Sequence, residues 1–284
     1  MKNGIHLIRA EWTAAIAFGL GFLIGGALPV RGQATQSNQN TQQQQPGGEK
    51  PATPEKPPVN KEEEDAYKAL SALTGQQSPE VISQAEAFLT KYPTSLYRAN
   101  VYFRLVNAYL STGQAANAVT TGEKAIVENP ENMDVLALES TVLPRVTNPN
   151  ALDFEQKLGE AERFAKRSIE LVNAMQKPEG NSDEQFAKWK NERLGMAHYG
   201  LGLAAYMRGN TAVYVDEFDQ SSKIDPAPEP LLFFLLGTGE MKLQKYPDAQ
   251  AAFERCAKDP WQWQDRCKSS VEQAKKAAAA PAKP

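Results

Sequence analysis

The sequence predicts an all-α chain, an α-solenoid of stacked helical hairpins with a C-terminal capping helix, on three observations. Beyond about residue 61 the chain is dominated by Ala, Leu, Glu, Lys and Gln, all good helix formers. Apolar residues recur there at helical spacing, first in Val81, Ala85, Phe88 and Leu89 and again in Val101, Leu105, Ala108 and Tyr109, with no alternating β pattern. Turn signals fall at regular intervals, at Thr74-Gly75, Tyr92-Pro93, Thr112-Gly113, Asn129-Pro130, Arg208-Gly-Asn210 and Asp225-Pro226, which is the mark of an internal repeat.

Taken in order, residues 1–34 read as a targeting segment. Lys2 and Arg9 give a positive start, Trp12 to Val30 is an uncharged 19-residue run, and Gly32-Gln-Ala34 places small residues where a signal peptidase cuts, after Ala34. The run is close to the roughly 20 residues that span a bilayer, so a retained N-terminal anchor is the alternative to a cleaved signal. Gly21 and Gly25 form a GxxxG, which is also common in signal cores. No cysteine lies nearby, which argues against a lipoprotein.

Residues 35–61 are rich in Gln, Pro, Asn and Thr with almost nothing apolar, and are expected to form a disordered linker. The acidic run Glu62-Glu-Glu-Asp65 suits the first turn of a helix, where negative charge meets the dipole. Residues 62–279 are the expected folded domain, and 280–284 a tail. In the last segment, Cys267, Val271, Ala274 and Ala278 share one helical face opposite charged residues, as a capping helix requires.

Charge and composition remove several functions. The formal net charge is -3, and without residues 1–34 it is 28 basic minus 33 acidic residues, or -5. That balance argues against a nucleic-acid partner, which needs clustered Lys and Arg. Arg163, Lys166 and Arg167 make a small basic face, but Glu160, Glu162 and Glu170 surround it. Catalytic material is scarce: only His198 lies beyond the targeting segment, and no nucleophile elbow or phosphate loop occurs. Cys256, Cys267 and His198 lack metal-ligand spacing, so no metal, cofactor or catalytic residue is expected.

Testing the repeat residue by residue gives three good copies. Ala99 to Asn132 carries Tyr102, Leu105, Tyr109, Gly113, Ala118, Ala125 and Pro130. Gly195 to Pro228 carries His198, Leu201-Gly202, Gly209, Phe218, Ser221 and Asp225-Pro226, and a third copy from Pro230 carries Phe233, Leu236-Gly237, Ala249, Phe253 and Cys256. This order resembles the tetratricopeptide repeat, in which short residues sit where two helices cross and large ones fill the spaces between hairpins. Here Gly202, Gly237, Ala118 and Ala249 are the short residues, and Tyr102, Phe218 and Phe253 the large ones. The copies depart from the family at Tyr214, Gly122 and Val106. Glu62 to Tyr92 and Met133 to about Asn173 read as degenerate units, the latter with its helices split by an insertion around Pro144 to Pro149. Phe88 to Ser95 resembles hairpin junctions of exported bacterial envelope members of the family.

The resemblance implies a non-enzymatic protein-interaction module whose first helices line a concave groove. Carried over by register, the groove side shows Asn100, Phe103, Asn107 and Leu110, then Met196, Tyr199, Leu203 and Tyr206, then Leu231, Phe234, Thr238 and Met241. Aromatics recur at one equivalent place, Phe103, Tyr199 and Phe234, and are the expected anchors of a partner helix or apolar peptide. The family's carboxylate clamp is not reproduced, because Asn107 has its match but Phe103 replaces the lysine. Part of this surface alternatively packs against neighbouring hairpins. A membrane-tethered structural or assembly subunit that self-associates is the second functional reading. Cys256 and Cys267 both fall at inward positions, and in an oxidising periplasm or envelope they are expected to form a disulfide that fastens the cap.

Overall fold

The computed structural model describes residues 60–280. Among them are eleven α-helices and no strands: α1 Lys61–Ala72, α2 Ser78–Lys91, α3 Arg98–Ser111, α4 Ala115–Glu128, α5 Met133–Val146, α6 Phe154–Ala174, α7 Asp183–Arg208, α8 Thr211–Ile224, α9 Pro230–Lys242, α10 Tyr246–Cys256 and α11 Gln264–Ala279. Successive helices pair as hairpins α1·α2, α3·α4, α5·α6, α7·α8 and α9·α10, and α11 closes the stack against α10. The first helices also touch directly, α3 against α5 and α5 against α7, so the chain is an all-α solenoid. The expected targeting segment, with Gly21 and Gly25, and the expected linker up to Val59 lie outside the described residues, as do residues 281–284.

Local chemistry sets the helix ends. The Asn60 side chain accepts from the backbone N–H of Glu62 and Glu63, and the three acids Glu62 to Glu64 occupy the first turn of α1. Ser182 and Gln185 make a reciprocal capping box at α7. That helix stops at Gly209, whose φ of 77° is left-handed and open to glycine without strain. Prolines stand in the first turns of α2, α9 and α10, where the missing N–H has no intrahelical acceptor.

The hairpins close through glycine. A side chain at Gly202 of α7 would overlap the Phe218 ring of α8, and one at Gly237 of α9 would stand 2.8 Å from the Phe253 ring of α10. Phe218 and Phe253 therefore fill space inside their own hairpins, and they also belong to a core shared with the element that follows, Leu232 and Leu235 for Phe218 and Cys267 and Val271 for Phe253. Tyr102 packs with Val135 of the next hairpin and donates to Glu128 of its own at 2.6 Å, beside an Arg98–Glu128 pair.

Two boundaries differ from expectation. Pro144 does not split its unit, because it lies in the last turn of α5 and the helix continues to Val146. The break comes later, in residues 147–153 before α6. The fourth hairpin does not begin at Gly195: α7 starts twelve residues earlier, at Asp183, and so adds about 18 Å to its length. Arg193 meets Asp134 in the first turn of α5 at 2.7 Å, and Ser168 of α6 donates to the Met133 carbonyl at 2.9 Å. The N-terminal part of α7 and the end of α6 thus run together past the start of α5.

The core has two main parts. Hairpins one to three share a cluster that includes Leu70, Phe88, Leu105, Val106 and Leu138, while hairpins four and five and the cap share another around Phe218, Leu235 and Phe253. Helix α5 stands between them, buried on every side from Val135 to Pro144. No helix among the described residues is long and apolar enough to cross a membrane.

Candidate partner-binding face

The twelve residues expected on the groove side lie on α3, α7 and α9, and the structure divides them. Asn100, Phe103, Asn107, Tyr206, Leu231, Thr238 and Met241 are half-buried. Leu110, Met196, Tyr199, Leu203 and Phe234 are buried, with Leu203 wholly so, which corrects their assignment to an accessible groove. The cause at Leu203 is the core shared by hairpins four and five, in which that side chain takes part.

At the three equivalent aromatics the covering groups are arginines. The Arg145 guanidinium stands 5.0 Å from the centre of the Tyr199 ring, that of Arg193 5.4 Å from Phe103, and that of Arg266 5.2 Å from Phe234. A guanidinium over a ring face is attracted to the ring's negative quadrupole and can stack on it. The three arginines come from α5, α7 and α11, so each ring is covered by a different part of the stack. Tyr199 and Phe234 are buried, whereas Phe103 stays half-buried.

Tyr199 is the more deeply closed. Arg145 pairs with Glu229, 84 residues away at the start of α9, and that pair ties the third hairpin to the fifth over the ring of the fourth. Burial acts against the Arg145 charge, but Glu229 and Tyr199 outweigh it and hold the guanidinium above its ordinary value. Burial pushes the Tyr199 phenol well above its usual range, and Glu229 adds to this while Arg145 opposes it. At Phe234 the edge of Trp263, just before the cap helix, closes the other side at 5.6 Å between ring centres.

The remaining part of the face, around Phe103, is half-buried among the described residues. Arg193 stands 5.2 Å from the Trp189 ring as well as over Phe103, so its guanidinium bridges aromatics from α7 and α3. Its charge is met by Asp134 at 2.7 Å and Glu192 at 2.8 Å. Phe186 stacks on Trp189 with ring centres 5.8 Å apart. Phe103, Phe186 and Trp189 are all half-buried. Sequence reasoning missed Phe186, Trp189 and Arg193, because they lie before Gly195 and outside the 34-residue period. The signal was the i, i+3 spacing of Phe186 and Trp189 behind a Ser182–Gln185 capping box.

Polar members of the expected groove serve the fold. Asn100 donates to the Tyr67 hydroxyl of α1 at 3.2 Å, Asn107 to the Phe103 carbonyl at 2.9 Å, and Thr238 to the Phe234 carbonyl at 2.7 Å. His198 pairs across its hairpin: its Nδ1 is 2.8 Å from the Glu217 carboxylate of α8. Among the described residues no group of three or more His, Cys, Asp or Glu side chains is placed to hold a metal ion. Cys256 and Cys267 are fully buried, with sulfurs at bonding distance and Cα atoms 5.8 Å apart.

No family model matches the chain, and no curated protein sequence matches it. Among solved structures, a thermophilic TPR protein from Thermus thermophilus covers 77% of this chain and 100% of its own, at 12% identity and a TM-score of 0.49. A tetratricopeptide repeat protein from Parabacteroides merdae covers 74% of this chain and 99% of its own, at 11% identity and a TM-score of 0.25. The assignment of a hairpin solenoid rests on this chain's own helices and contacts.

Proposed function

We propose that the chain is a non-enzymatic scaffold that binds a helix or apolar peptide of another protein, and that the partner lies on the open aromatic cluster of Phe103, Phe186, Trp189 and Arg193. One observation carries the reading. Among the described residues, half-buried Phe103 and Trp189 flank the Arg193 guanidinium, and half-buried Phe186 extends the cluster by stacking on Trp189. Tryptophan, aromatic and arginine side chains are where binding energy concentrates in protein interfaces. The cluster replaces the evenly spaced groove as the site, with Phe103 the one anchor common to both.

The protein is placed outside the cytosol in this proposal. The positively charged, apolar N-terminal segment supports it, and so does the buried Cys256–Cys267 pair, because disulfides persist in oxidising compartments. Affinity capture from the native envelope, with wild-type chain and with Trp189→Ala, tests the binding reading. The expected result is one partner recovered by the wild type and lost by a variant that keeps its helicity. A partner recovered equally by both would overturn the assignment of the site. Recovery of further copies of the chain itself would favour the self-associating structural subunit.

A further inference from the structure

Glu139, in the middle of α5, is fully buried, and neither carboxylate oxygen has a hydrogen-bond partner. Its place in the fold is specific. The carboxyl group lies on Gly122 of α4, where any side chain would overlap it. Gly122, where the second hairpin departs from the repeat, thus makes room for an acid of the third. An ionised carboxylate without partners in such a site is far costlier than a neutral one, and groups in that position give up their charge.

The surroundings offer no compensating cation. Glu123 of α4 is the charged neighbour that acts on Glu139, and it adds to the effect of burial in raising the carboxyl well above its ordinary value. On α3, Arg104 turns away to the Leu70 and Leu73 carbonyls. On α6, Arg163 pairs with Glu160, and Arg167 with Glu131 and Glu170. On α7, Arg193 is held by Asp134 and Glu192, and His198 by Glu217. On α5 itself, Arg145 is held by Glu229.

We propose that the joint between the second and third hairpins is a proton-operated latch, in which neutral Glu139 seated on Gly122 holds α4 against α5 and its ionisation releases them. Loss of the proton to solvent leaves a charge that only water can stabilise at this place. Water reaches the carboxylate when α4 parts from α5. The device involves α5, the helix that stands between the two halves of the core.

Amide hydrogen exchange on the full chain at about pH 5.5 and about pH 8.5, corrected for the intrinsic chemical rate, reads the latch directly. Exchange in α4 and α5 is expected to be about tenfold or more faster at the higher pH in the wild type, and alike at both pH values in Glu139→Gln. Glu240→Gln, which removes a titrating group from the fifth hairpin, is expected to keep the wild-type response in α4 and α5. If the wild type shows no faster exchange in these helices at high pH, the latch is overturned whatever the variants do. An undiminished response in Glu139→Gln overturns it equally.

Discussion

The guanidinium of Arg145 lies 5.0 Å from the centre of the Tyr199 ring, and this contact decides which part of the first-helix face is free. Arg145 reaches over the ring from the last turn of α5 and is held there by Glu229. The ring so covered is a structural element. The proposed binding site is the start of α7, where Trp189 faces Arg193 and Phe186 stacks on Trp189.

Tyr199→Ala should therefore destabilise the protein. Removing a buried aromatic typically costs about 3–5 kcal/mol, and here it also uncovers the pair that lies over the ring. Denaturant titration followed by circular dichroism measures the loss. A change below about 1 kcal/mol would mean that the ring is not part of the core.

Arg145→Met should also be costly, because it leaves Glu229 without its cation at the junction of three hairpins. Removing one partner of a buried pair costs about 3–5 kcal/mol, and the partial exposure of this one places it at the lower end. Adding Glu229→Gln should recover part of the loss, which a double-mutant cycle on the melting free energies will show.

Reduction should loosen the cap. Constraining the short loop between Cys256 and Cys267 stabilises by roughly 3 kcal/mol in the chain-entropy model, so reductant should lower the melting temperature. A thiol assay on unreduced, unfolded protein should find no free thiol. Two free thiols per chain in protein taken from the envelope would contradict the pairing.

Stability should fall as pH rises from acid towards neutral. Burial pushes the Glu240 carboxyl up to about 7, with Asp248 and Asp219 adding to it, and Asp225 up to about 6, also chiefly through burial. An acid with a raised folded pKa binds more protons folded than unfolded between the two values. Its stabilising share is fully present below the unfolded pKa and is lost as pH climbs through the folded one. Glu240→Gln should flatten the melting free energy between about pH 4.5 and pH 7 by on the order of 2–3 kcal/mol. An unaltered slope would show that Glu240 is not the group responsible.

The repeat could be read from the sequence because its determinants are local. Gly202 and Gly237 pack on rings 16 residues further along, Phe218 and Phe253, inside one hairpin, and turn glycines such as Gly209 mark the ends. What decides the site is not local. Arg145 covers Tyr199 from 54 residues away, and Arg193 meets Phe103 from 90 residues away, distances over which no periodicity carries information. The register placed Phe103, Tyr199 and Phe234 at one equivalent position, but the burial that separates half-buried Phe103 from the other two depends on neighbours that the repeat pattern does not specify. The extension of α7 was hidden for a related reason, since its twelve additional residues belong to no repeat unit.

Site-specific photo-crosslinking tests the central claim most directly. A photoreactive phenylalanine analogue replaces Trp189 in one full-length chain and Val213, exposed on the second helix α8, in another, and both are irradiated in the native envelope. A binding scaffold that works through the open aromatic cluster should give an adduct to one partner protein from position 189 and none from position 213. Adducts of the same partner from position 213, with none from position 189, would place the interface on the second helices and contradict the account.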